Sequence, residues 1–147
     1  MLKILFICHG NICRSAAAEM VLRQMTEERR DLRIASAAAT REEIGNDIYP
    51  PMKKALRASG YTCRAHSARQ TVQSDYRAWD YIIGMERLNM SYMHRILGGD
   101  PEGKVKLLMD FTGRAEDIDD PWYTGDFGGV YRQIVRGCEA LLRELGY

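Results

Sequence analysis

Apolar residues along the chain fall into short uninterrupted runs and longer amphipathic stripes that alternate with each other. Ile4-Leu5-Phe6-Ile7 has no polar interruption and is rich in β-branched and aromatic side chains, the pattern of a strand buried on both faces. It stops at Cys8, passes a Gly10-Asn11 bend and resumes as an alanine-rich segment. There Ala17, Met20, Val21, Gln24 and Met25 give a mostly apolar face at helical spacing. Leu32 to Ala37 predicts a second strand, and the turn-rich Thr40 to Pro51 a surface loop beside the first. Pro50 and Pro51 then suit the opening of a helix through Ala55, Leu56 and Arg57, with Gly60 at its C-terminal cap. Tyr61 to Tyr76 is ambiguous from pattern alone. Asp80 to Met85 predicts a third strand, Glu86 to Leu97 a helix closed by Gly98-Gly99, and Val105 to Leu108 a fourth strand. The last helix is the clearest: Phe127, Val130, Tyr131, Ile134, Val135, Cys138, Leu141, Leu142 and Leu145 keep one apolar stripe through about five turns.

Strands alternating with helices predict an α/β fold: a parallel sheet covered on both faces and joined by right-handed crossovers. Such sheets bind ligands outside the carboxyl ends of their strands, where strand order reverses, and the loop after the first strand is expected there. The length of 147 residues suits a single domain over 1–147, and no repeat, linker or low-complexity segment divides it. A net charge of +1 gives no global pull towards nucleic acid or membrane, and no apolar run approaches spanning length. Met1-Leu2-Lys3 leads straight into the first strand without a signal-peptide pattern, so the four cysteines are expected as reduced thiols in a cytoplasmic monomer. With three histidines and no His/Cys spacing of the zinc type, no metal site is expected.

A strand, tight loop and helix N-terminus in succession make an anion cradle. The first amides of a helix lack internal partners and the helix dipole is positive there. Gly10 carries no Cβ penalty and Asn11 tolerates the left-handed region, so several N–H groups can turn towards one centre. Cys8 lies at the start of this loop and Arg14 at its end. A thiol facing that field is expected to ionise and act as a nucleophile, and a guanidinium can grip two phosphoryl oxygens at once. Ser15 could cap the helix or donate to the thiolate. Neither G-x-x-x-x-G-K-[ST] nor G-x-G-x-x-G occurs.

Cys8-His9-Gly10-Asn11-Ile12-Cys13-Arg14-Ser15 resembles the C-x-G-N-x-C-R-S signature of the low-molecular-weight protein tyrosine phosphatases. Asp120-Pro121-Trp122-Tyr123 is similar to that family's aspartate-proline-aromatic motif, and His66-Ser67-Ala68-Arg69-Gln70 to its midchain H-x-A-R-Q. The resemblance implies a four-stranded parallel sheet in the order 2-1-3-4. It also implies hydrolysis of protein phosphotyrosine and small aryl phosphates through a phosphocysteine, with no metal or organic cofactor. Cys8 would be the nucleophile, Arg14 the clamp and Asp120 the general acid, with Asp119 in reserve. His9, Gly10, Asn11, Ile12, Cys13 and Ser15 would form the phosphate loop, and Trp122 and Tyr123 the walls of a slot for a phenyl ring. Ser36 and His66 would support Asn11 from beneath.

The chain departs from eukaryotic members, which carry an aromatic residue in the loop after the second strand; here that loop reads Thr40-Arg41-Glu42-Glu43-Ile44-Gly45. Three other readings compete. A related protein arginine phosphatase carries a threonine where this chain has Ile12, with an acidic residue near by for the guanidinium. A thioredoxin-coupled arsenate reductase needs further cysteines after the third strand, yet none lies between Cys63 and Cys138. A non-catalytic phosphate-binding module would not need Cys8, Arg14 and Asp120 together.

Overall fold

The computed structural model describes residues 1–147. Four strands, β1 (Leu2–Cys8), β2 (Leu32–Ala38), β3 (Tyr81–Gly84) and β4 (Val105–Leu107), form one parallel sheet in the order β2-β1-β3-β4. The helices are α1 (Arg14–Met25), α2 (Pro50–Ala58), α3 (Asp75–Ala78), α4 (Met90–Leu97), α5 (Pro121–Thr124) and α6 (Phe127–Glu144).

The continuous apolar run of β1 has its explanation in the sheet. β1 pairs with β2 from Leu2–Leu32 to Cys8–Ala38, and on its other edge with β3 from Ile4–Tyr81 to Ile7–Gly84. Side chains alternate, so Ile4, Phe6 and Cys8 point to one face and Leu5 and Ile7 to the other. The first set joins a core with Val21 of α1, Leu56 of α2 and Ile134 of α6; the second packs with Tyr76 of α3 and Met93 and Leu97 of α4. Both faces are covered, as the alternation of elements predicts. The chain passes from β1 to one side and later crosses to β3 on the other, so the loop after β1 occupies the point where strand order reverses.

Two elements differ from the pattern-based expectation, and an ambiguous third is settled. Glu86 to Leu97 is split: Arg87–Asn89 forms a 3-10 turn before α4, and Glu86 stands outside it in extended conformation with its Oε1 accepting from Asn89 Nδ2 at 3.0 Å. β4 ends at Leu107, because Leu108 begins a 3-10 stretch to Thr112 that packs under α6. The ambiguous Tyr61 to Tyr76 is mostly irregular, tied to the end of β2 by Ala38 N to Arg69 O (2.7 Å) and Thr71 N to Ala38 O (2.8 Å). No helix is long and apolar enough to cross a membrane.

The contact between α6 and the Leu108 stretch leaves no slack. A Cβ on Gly137 would stand 2.5 Å from Leu108 Cγ, and Leu108 is fully buried. Gly137→Ala is therefore expected to destabilise by about 1–3 kcal/mol through overpacking. That exceeds the roughly 1 kcal/mol that alanine contributes over glycine inside a helix. A lowered melting temperature checks this; a raised one would show that Leu108 moves aside.

Candidate active site

β1 delivers Cys8 to the carboxyl edge of the sheet, and the chain folds over the edge before entering α1 at Arg14. The outgoing end of β2 fastens the start of this loop: Ala39 N donates to Cys8 O (2.9 Å), and Thr40 N (3.1 Å) and Oγ1 (3.0 Å) both donate to His9 O. Asn11, at φ 61°, is the one non-glycine residue at positive φ in the chain. This conformation costs most residues about 1–2 kcal/mol, and asparagine offsets part of it by local hydrogen bonding. Here the side chain is fully buried, with Nδ2 donating to Ser15 Oγ (2.9 Å) and Oδ1 accepting from Arg69 N (3.2 Å). His66 Nε2 lies 2.6 Å from Asn11 O. A carbonyl only accepts, so Nε2 carries the proton and donates.

This network joins Asn11 to His66 and also to Ser15, while Ser36, expected beneath the loop, stands outside it. The Ser36 hydroxyl donates instead to Glu19 Oε1 at 2.5 Å, and Glu19 Oε2 accepts from Arg23 Nε at 2.8 Å. The buried Glu19 carboxylate on α1 is a stronger acceptor than any amide oxygen, and it captures the only hydroxyl that β2 presents to it.

None of the backbone N–H groups from His9 to Ala16 donates to an acceptor within the protein. Cys13 occupies the N-cap of α1 without a side-chain cap, so Ser15 does not close the helix. Ser15 Oγ lies 3.0 Å from Cys8 Sγ and 3.4 Å from Ala37 O. Because it already accepts from Asn11, its own proton is free, and the nearer sulfur is its target. The Ser15 hydroxyl is thus placed to donate to Cys8 Sγ.

Arg14 is buried to 2 % side-chain exposure, with NH1 2.9 Å from Ile118 O and 3.1 Å from Glu86 Oε1, and NH2 3.5 Å from Asp120 Oδ2. Burial works against its charge, but the charges of Cys8, Glu86 and Asp120 outweigh it and hold the guanidinium above its ordinary range. Asp120 caps α5, its Oδ1 accepting from Trp122 N at 3.0 Å, and Pro121 stiffens the turn. Asp119 is exposed and takes no part in the cleft lining. Burial, then the charges of Cys8 and Asp120, push the Cys13 thiol far up, against a smaller pull from Arg14, so it stays protonated.

These groups line a cleft of about 240 Å³. Cys8, Cys13, Arg14 and Asp120 lie within it, Ile12 and the aromatic Tyr49, Trp122, Tyr123 and Phe127 contribute its apolar lining, and His9 with Glu42 and Glu43 its polar rim. His9 Nε2 meets Glu42 Oε2 at 3.0 Å, and a Cβ on Gly10 would stand 3.2 Å from Glu43 Cγ, so Gly10 lets the acidic loop close onto the phosphate loop. Tyr49, Phe127 and Glu86 join the site without any motif that marks them for it. Glu86 is the second residue after β3, at the carboxyl edge of the sheet, a position that marks it as a candidate. Phe127 belongs to the apolar stripe of α6, and Tyr49 carries no motif.

The family model for low molecular weight phosphotyrosine protein phosphatase matches residues 3–147. The chain is 33% identical to the low molecular weight protein-tyrosine-phosphatase YfkJ of Bacillus subtilis, over 99% of this chain and 96% of that protein. The YfkJ crystal structure superposes with a TM-score of 0.94, at 32% identity, covering 99% of this chain and 95% of that one. The low molecular weight phosphotyrosine protein phosphatase of Homo sapiens is 34% identical over 97% of this chain and 94% of its own. A drosophila arginine phosphatase structure shares the fold at a TM-score of 0.87, with 29% identity and 99% coverage of both chains. The match along almost the whole length, on a sheet ordered 2-1-3-4 that turns into the Cys8–Arg14 loop, shows that the chain belongs to the low molecular weight phosphotyrosine protein phosphatase family.

Proposed function

We propose that the protein is a cysteine-dependent phosphatase that hydrolyses phosphotyrosine in cytoplasmic proteins, and small aryl phosphates, through a phosphocysteine. One observation carries the reading: Cys8 Sγ lies 3.0 Å from the Ser15 hydroxyl at the floor of a loop whose amides from His9 to Ala16 have no partner in the protein. A tetrahedral dianion in that loop satisfies the amides, with Arg14 at its side. Cys8 attacks phosphorus in line, and its new S–P bond replaces the bond to the phenol oxygen. Protonated Asp120 gives its proton to the departing oxygen. As a carboxylate it then takes a proton from water, whose oxygen displaces Cys8 from phosphorus and restores the thiolate.

The lining supports an aryl group. Ile12 contributes an apolar surface, and Trp122 and Tyr49 lie 4.9 Å apart between ring centroids. Burying one face of a phenyl ring contributes on the order of 1 kcal/mol, about fivefold in discrimination. Phosphoserine, on a shorter side chain, reaches the floor poorly. Matched peptides carrying phosphotyrosine, phosphoserine or phosphoarginine test the reading, with kcat/KM expected to be highest for phosphotyrosine.

A second reading has its own observation: Glu42 and Glu43 place carboxylates at the mouth, where they could hold a guanidinium. A preference for phosphoarginine would favour that reading, and Ile12→Thr is expected to move the balance towards it.

Asp120→Asn is expected to slow phosphotyrosine hydrolysis by about 10²-fold or more, and esters of acidic phenols far less, because a good leaving group needs little proton transfer. Equal losses across a leaving-group series would take the role away from Asp120.

A further inference from the structure

Tyr49 lies on neither of the segments that carry the chemistry, yet it touches both. Its N–H donates to Ile12 O in the phosphate loop at 2.7 Å. Its carbonyl accepts from Met52 N (3.0 Å) and Lys53 N (3.1 Å), closing the first turn of α2. That helix is anchored by Met52 and Leu56, both fully buried. Pro50 follows, and φ −56°, ψ 129° is the extended conformation that a residue before proline prefers. The backbone of Tyr49 is thus fixed from both sides, and its half-buried ring has little room to drift.

The ring meets Trp122 at 4.9 Å and Phe127 at 5.7 Å between centroids. Trp122 is 61% exposed, its indole N–H has no partner in the protein, and Tyr49 is the one aromatic ring stacked on it. The Trp122 amide in turn donates to Asp120 Oδ1. α5 is a single turn, too short to hold its own position. Buried Pro121 and the Asp120–Arg14 pair hold the base of this turn, and Tyr49, bonded to the loop that holds Cys8, supports its Trp122 side.

We propose that Tyr49 is a positioning residue that sets Asp120 over Cys8. The inference rests on the roles assigned above to Cys8 and Asp120. Without the ring, Cys8, the loop amides and Arg14 keep their contacts, while the Trp122 side of the turn loses its aromatic contact and Asp120 gains freedom to tilt. The loss should then scale with how much the leaving group needs a proton.

Tyr49→Ala and Tyr49→Leu, the second keeping apolar bulk beside α2, are to be compared with wild type on a series of aryl phosphates of graded phenol acidity. The expected result is a loss of kcat/KM on the order of tenfold for phosphotyrosine and about twofold for the most acidic phenol. The dependence on leaving-group acidity should steepen as it does in Asp120→Asn, and Tyr49→Phe should restore the wild-type slope. In Asp120→Asn, adding Tyr49→Leu should steepen it no further, since both changes act on one proton transfer. A uniform loss across the series, or an unchanged slope in Tyr49→Leu while Asp120→Asn steepens it, would overturn the inference and leave the acid role of Asp120 standing. An unchanged slope in Asp120→Asn itself would remove the acid assignment and this inference with it.

Discussion

Cys8→Ser is expected to lower turnover of aryl phosphates by on the order of 10⁴-fold or more while the protein still binds inorganic phosphate. The substitution replaces a thiol, which ionises far more readily than a hydroxyl, with a smaller side chain that fits the same buried position without clash. The amides from His9 to Ala16, the Arg14 guanidinium and the Ser15 hydroxyl are untouched, so the anion cradle persists without its nucleophile. Phosphate binding by calorimetry and turnover of p-nitrophenyl phosphate separate the two properties. Acid quenching of the wild-type reaction should trap phosphate on Cys8, and the variant should trap none. Turnover within tenfold of wild type would remove Cys8 from the mechanism and point to direct attack by water.

The parts of this molecule that were legible in the sequence are those in which a local pattern carries its own geometry. Ile4 to Ile7 could be read as a central strand because a parallel strand covered on both faces needs an apolar residue at every position. The Cys8 to Ser15 stretch could be read as an anion cradle because glycine and asparagine at the bend permit the conformation that Asn11 adopts. What escaped were contacts that local spacing does not encode. Ser36 was expected under the phosphate loop; the Glu19 carboxylate on a neighbouring helix takes it instead. Glu86 was read as the first residue of a helix, but its ion pair with Arg14 and its bond from Asn89 hold it outside, and the turn that follows tightens to 3-10. Tyr49 in a turn-rich loop gave no signal, and it supplies the aromatic ring that the acidic Thr40 to Gly45 segment lacks.

Arg14→Lys is expected to lower kcat by about 10²–10³-fold, with a much smaller rise in KM. The guanidinium makes three contacts in different directions, to Ile118 O, Glu86 and Asp120, and these fix its plane against the cradle. A planar fork held in this way can meet two phosphoryl oxygens together as they spread in the transition state. An ammonium is a compact point charge that keeps much of the ground-state attraction but cannot span two oxygens while also satisfying Glu86. The loss should therefore fall on kcat, the signature of an interaction made more fully in the transition state. Arg14→Ala should cost more, and it should also lower the melting temperature, because Glu86 and Asp120 would face each other across a buried space with no cation between them. If Arg14→Lys instead raised KM with kcat preserved, Arg14 would serve to collect the anion rather than to stabilise its transfer, and the loop amides would carry the catalysis alone.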